Sequence, residues 1–259
     1  MKEYFISEID IEKLYHLSDI KIKLDSNKRQ HLLLTGKNGS GKTSLLLEIE
    51  KFLRAINDEK LSQVFDQYPT WINEAKKKVL SASSDSEKYA ADKDLKQCLG
   101  FLKKYSDGVQ INLNQYEGLE MMYHNGKFIT AYFPSERKAQ FMRPNGVENI
   151  TLENTYGIDE SAGDILLKYM VHLKTQQAYA RNEGDQTTAN QIQKWFDRFD
   201  SALQILLDEE SIHIEYDYKK YDFKIRQNGR EPFSFNELSD GYSSVIYIVS
   251  DLILRMDKN

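Results

Sequence analysis

The stretch Gly36-Lys37-Asn38-Gly39-Ser40-Gly41-Lys42-Thr43 constrains this chain more than any other. Glycine, four residues, then Gly-Lys-Thr is the spacing of a phosphate loop. Glycines at 36, 39 and 41 permit positive φ, so successive N–H groups can curl toward one point. His31-Leu32-Leu33-Leu34-Thr35 before it reads as a short apolar strand, and Ser44–Leu53 after it as a helix. A helix starting there adds partial positive charge at its N-terminus. Lys42 would reach the β- and γ-phosphates, and the Thr43 hydroxyl would ligate Mg²⁺. The nucleotide-binding set is therefore Gly36, Lys37, Asn38, Gly39, Ser40, Gly41, Lys42, Thr43 and Ser44. The competing reading, a glycine turn before a surface helix, loses weight because strand and helix flank the motif.

The chain has 259 residues, of which 40% are hydrophobic and 29% charged, within the range of globular domains. A net charge of -5 argues against a general polyanion binder, so charge alone does not support nucleic acid as a partner. One cysteine, Cys98, excludes an internal disulfide and suits a reducing cytoplasm; among Leu95, Leu99 and Leu102 it reads as a small core residue. The first residues, MKEYFISEIDIEK, lack the apolar run of a signal peptide, and no run reaches membrane-spanning length.

Along the chain, residues 3–34 read as strands, with Ile20–Leu24 alternating. Residues 57–107 are helical and charged: Leu61, Val64, Phe65 and Tyr68 keep helical spacing, Pro69 ends that segment and Thr70 caps the next. Ser81–Ser86 reads as a flexible loop before a third helix, and the charges of this insertion read as a solvated face. Val109–Leu113 alternates as a strand. Leu119–Tyr123 and Phe128–Phe133 around Asn125-Gly126 read as a hairpin. The polar loop Pro134–Gln140 follows. Residues 160–207 read as two helices separated by Asn182–Asp185, with the stripe Trp195, Phe196 and Phe199 as core. Residues 211–235 are strands again, with a tight turn at Asn228-Gly229, and Val245–Met256 is an apolar helix.

At the head of that last helix stands Leu238-Ser239-Asp240-Gly241. Together with the phosphate loop upstream, it resembles the ABC-type P-loop ATPases. The wording is closest to the RecF, SMC and OLD-like group, the AAA family ATPases that include phage-defence proteins. The resemblance implies an α/β fold: a P-loop NTPase core with an antiparallel β subdomain and a helical lobe. It implies a single ATPase domain over 1–259: strands, loop and first helix in 1–56, a helical insertion in 57–107, and strands with a candidate glutamine loop in 108–140. A helical lobe in 141–210 and strands, signature and helix in 211–259 complete it. Two copies would meet head to tail around ATP and Mg²⁺, as a homodimer or higher oligomer. Leu238, Ser239, Asp240 and Gly241 of one copy would act on the nucleotide of the other. Gln140, with Arg137 as the alternative, would sense Mg²⁺ and the γ-phosphate, so Thr43 and Gln140 are the implied metal contacts. Tyr15 or His16 would pack on adenine or serve as ordinary packing residues. Binding and hydrolysis would drive an effector, such as a nuclease, in DNA repair or antiviral defence.

The sequence departs from that family after the signature helix. The expected Walker B strand with its Asp-Glu pair, and the histidine beyond it, do not occur before Asn259. Glu160, in Ile158-Asp159-Glu160, lacks the apolar run, and Asp251 falls inside the signature helix. The expectations are then a piece of a longer protein, a second polypeptide completing the site, or a nucleotide-gated interaction module that does not hydrolyse. On any of the three, residues 1–259 alone are expected to be hydrolysis-deficient. A small-molecule kinase would need an acceptor pocket and a base, for which no residues stand out. The signature wording also differs from that of membrane transporters.

Overall fold

The computed structural model describes residues 3–134 and 141–257. The chain divides into two compact units, Met1–Thr130 and Ala131–Asn259. Each has its own hydrophobic core.

In the first unit, β1 (Ile6–Leu14) lies between β2 (Leu17–Lys23) and β3 (Val109–Leu113), antiparallel to both. Alternation puts Ile9 and Ile11 on the core face, where both are sealed from solvent. They pair with Ile22 and Ile20 on one side and with Ile111 and Val109 on the other. Helix α1 (Lys42–Asn57) buries Leu45, Phe52, Ala55 and Ile56 along one stripe.

The insertion is helical, with different punctuation from that expected. A π-turn at Gln63–Gln67 runs straight into α2 (Tyr68–Ser81). Pro69 opens α2 rather than ending a helix, because the first helical turn needs no N–H from it. Thr70 is no cap: its hydroxyl donates back to the Asp66 carbonyl at 2.7 Å. Ser84 caps α3 (Asp85–Lys103), accepting from Glu87 N–H at 3.2 Å. Cys98 is half-buried and Leu99 is exposed, so that face of α3 is a flank and not core.

The expected hairpin at 119–133 is instead α4 (Leu119–His124). Leu119 and Tyr123, four residues apart, point one way into the core. Asn125-Gly126 ends the helix: Gly126 has φ 68, its N–H bonds the Tyr123 carbonyl, and Lys127 N–H bonds the Met122 carbonyl. That is a Schellman motif, which uses the same positive φ that a hairpin turn would.

In the second unit, α5 (Leu166–Asn182) and α6 (Gln186–Leu207) are joined by Glu183–Asp185, and Asp185 caps α6. Antiparallel strands β4 (His213–Asp217), β5 (Asp222–Arg226) and β6 (Phe233–Ser234) form the sheet. Trp195, Phe196 and Phe199 are buried, with Phe196 stacked on Phe223 of β5. The last helix, α7 (Asp240–Asp257), buries Ile246, Ser250, Asp251, Leu254 and Arg255.

The described residues are thus mixed α/β, with two small antiparallel sheets and seven helices. A parallel ladder is not among them. None of the described helices is long and apolar enough to cross a membrane.

Candidate functional site

Residues 36–41 form a tight loop that enters α1 directly. Gly36, Gly39 and Gly41 have φ of 148, 79 and 90. Ser40 N–H closes a turn onto the Lys37 carbonyl at 3.2 Å. At Gly41 a side chain is excluded twice over: the backbone is left-handed, and a Cβ would stand 2.8 Å from Leu17 Cδ1. Gly36 carries a similar restraint, since its Cβ would meet Ser40 Oγ at 2.9 Å.

Gly41 is the N-cap of α1, and no side chain caps it. The first turn holds no acidic residue. The leading N–H groups of α1, at Lys42, Thr43 and Ser44, therefore lack intrahelical acceptors and sit at the positive end of a 16-residue helix. Lys42 folds back across the loop. Its Nζ donates to the Gly36 carbonyl at 2.7 Å and the Lys37 carbonyl at 2.9 Å, with Ser40 Oγ at 3.4 Å. An ammonium and uncapped amide donors thus belong to the same loop–helix junction, donor chemistry suited to a polyanion such as a phosphate chain.

The strand expected at His31–Thr35 does not form. Leu34 packs against the core, whereas Leu33 is 84% exposed. A strand needs a neighbour to take its N–H and C=O groups, and among the described residues no segment pairs with this one. The β1–β2 turn lies beside the loop: the His16 ring comes within 3.7 Å of where a Gly41 Cβ would be, while Tyr15 stands 78% exposed.

In the second unit, Leu238 packs on the core, and Ser239, Asp240 and Gly241 are exposed at the head of α7. The Ser239 carbonyl accepts the first helical bond, from Ser243 N–H at 2.8 Å. A Cβ on Gly241 would meet nothing within 4 Å. Glycine inside the first turn costs about 1 kcal/mol relative to alanine, and local packing gives no reason for it. A cavity of about 340 Å³ adjoins this end, bordered by Leu238, Ser239, Tyr242, Arg230 and Phe233.

Arg137 and Gln140 lie outside the described residues. Glu160, the candidate catalytic acid, and Asp251, inside the signature helix, both have structural work. Glu160 Oε2 accepts the Gly157 N–H at 2.6 Å, closing its own turn. Asp251 is fully buried and paired with Arg255 Nε at 2.5 Å, and its other oxygen accepts Gly163 N–H at 3.2 Å. Arg255 also holds the carbonyls of Tyr156, Gly157 and Glu160. This clamp escaped the reading of the sequence, although an Asp and an Arg four apart in an apolar helix were its signal. Among the described residues, no cluster of three or more His, Cys, Asp or Glu is placed to hold a metal ion.

Compared with protein-family models, curated proteins and solved structures, the chain has no match.

Proposed function

We propose that this chain is a nucleotide-binding module of the ABC-type P-loop ATPases, which binds ATP at Gly36–Ser44 and couples it to association with a second copy and with an effector. The observation that carries this reading is the uncapped head of α1 behind a glycine loop crossed by Lys42. The backbone amides and Lys42 would hold the β- and γ-phosphates, with Thr43 contributing its hydroxyl to Mg²⁺. When bound, Mg²⁺ supplies charge neutralisation on the phosphates. His16, beside Gly41, is better placed than exposed Tyr15 to border the base.

Gly241 supports a matching role for the signature, since its open surroundings leave space for a close approach from outside the chain. The leading N–H groups at the head of α7 favour an anion there, although the Asp240 carboxylate in the same turn opposes it. Hydrolysis belongs to the complete site, because Glu160 closes its own exposed turn and Asp251 is buried against Arg255. Activity in the cytoplasm, an effector in DNA repair or antiviral defence, and a head-to-tail dimer are part of the same proposal. A nucleotide-gated module without hydrolysis is the second reading, favoured by those same two engaged carboxylates.

Two variants test the proposal. Lys42→Ala should abolish ATP binding in a calorimetric titration while circular dichroism stays unchanged; undiminished affinity sinks the phosphate-loop assignment. Ser239→Arg should leave ATP binding nearly intact and block dimerisation with ATP and Mg²⁺. A wild-type dimer by light scattering would count against the role of the signature.

A further inference from the structure

We propose that the first unit carries a docking groove for an extended polypeptide, apolar with acidic residues interleaved, laid along the outer edge of β3 beside α2 and α3. In the order β2-β1-β3, β3 is an edge strand, and no described strand pairs with its outer side. Alternate N–H and C=O groups of such a strand point away from its one partner; the Val109 carbonyl already accepts the Ser106 hydroxyl at 2.7 Å, so Ile111 and Leu113 are the positions that can receive another backbone. A cavity of about 570 Å³ is bordered by this strand and by α2 and α3, with Val109, Ile111, Phe65, Ile72, Leu99 and Lys76 among its lining. An edge strand facing a helix-walled apolar groove is the geometry in which a peptide adds a strand and drops alternate side chains into pockets.

The charges select the occupant. Lys103 and Asp107, both on the cavity, pair with each other at 3.4 Å. Lys76 on α2 is exposed and pairs with no acidic side chain among the described residues. Glu12 lies on the strand side, so the helix wall is the one that receives a carboxylate. A fatty chain or a small apolar molecule would fill the floor and leave the donors and acceptors of β3 unused, which favours a polypeptide. The groove shares no residue with Gly36–Thr43, so this inference stands independently of the nucleotide reading.

The test uses the full chain and an array of nonapeptides that alternate Val or Leu with Glu, Lys or Ser, each with a copy N-methylated at alternate amides. Glu peptides should be retained, and N-methylation should abolish retention. Leu99→Arg, on a wall residue 42% exposed, should weaken binding about tenfold or more, and Lys76→Glu should shift preference to Lys peptides. Lys42→Ala should bind the same peptides as wild type. Both groove variants alter exposed side chains, and circular dichroism verifies their fold. The proposal is overturned if folded wild type retains no peptide, if Leu99→Arg retains them equally, or if laurate or N-methylated copies bind as well as the Glu peptides.

Discussion

The Lys42 ammonium rests on two neutral carbonyls of the loop it crosses. Under the proposed phosphate reading, charged phosphate oxygens are the stronger acceptors and would replace those carbonyls through rotation of a flexible stem. A second residue of the first unit makes a claim about pH. Tyr105 is buried and donates its hydroxyl to Asp58 Oδ2 at 3.0 Å. Burial first, and the Asp58 carboxylate second, push its phenol from 10.0 up to about 12. The folded state therefore favours the neutral phenol. That contribution is complete below pH 10.0 and is lost as pH rises through about 12. Urea unfolding followed at about pH 9 and about pH 11 should show the first unit weakening over this window. Tyr105→Phe should flatten the decline; an unchanged slope would place the alkaline sensitivity elsewhere.

Among the elements, α7 combines two tasks. Its head presents Ser239-Asp240-Gly241 to solvent, and its tail locks residues 156–163 through Asp251 and Arg255. Gly163 fits against α7 so closely that a Cβ would stand 3.1 Å from Asp251 N. Tyr169 of α5 adds a hydrogen bond to Asp257 at the far end. Removing one member of a buried ion pair leaves the other unpaired, at a cost of about 3–5 kcal/mol. Asp251→Asn should therefore lower the stability of the second unit by roughly that amount in urea titration. A loss below about 1 kcal/mol would mean that the carbonyls around Arg255 suffice by themselves. The elements also show where pattern and structure part. Asn125-Gly126 signals positive φ, and whether that φ turns a hairpin or ends a helix depends on what precedes it. Here Leu119 and Tyr123 both face the core at helical spacing, and the helix wins.

At the level of the whole molecule, each unit buries its own apolar set and contains one tryptophan, Trp71 in the first and Trp195 in the second. Trp195→Phe leaves Trp71 to report on the first unit, and Trp71→Phe leaves Trp195 to report on the second. Phe52→Ala removes a sealed ring from the first core, an alteration worth about 3–5 kcal/mol. It should shift the Trp71 transition by that amount and the Trp195 transition far less. Equal shifts would show that the two cores unfold as one cooperative body. The exposed Leu33, Leu46 and Leu47 bear on solubility, because exposed apolar surface invites association. A strand at residues 31–35 requires a neighbour, and a local pattern cannot supply one.

That last point separates what was legible in the residues from what was not. The strands β1 to β5, the helical pair α5–α6 with its core stripe, the start of α1 and the apolar α7 could all be read from periodicity, because each buries one face and its spacing records which. The glycines of the loop were legible for a similar reason: their conformations are ones that other residues resist. Three features were decided by tertiary structure. Pro69 opens a helix because the chain arrives in a π-turn. Residues 31–35 stay unpaired because a strand is a property of two segments. Asp251 holds the second unit together because Arg255 and the turn at Gly163 close around it. In each case the residue is compatible with more than one role, and the neighbour that selects among them lies outside the local pattern.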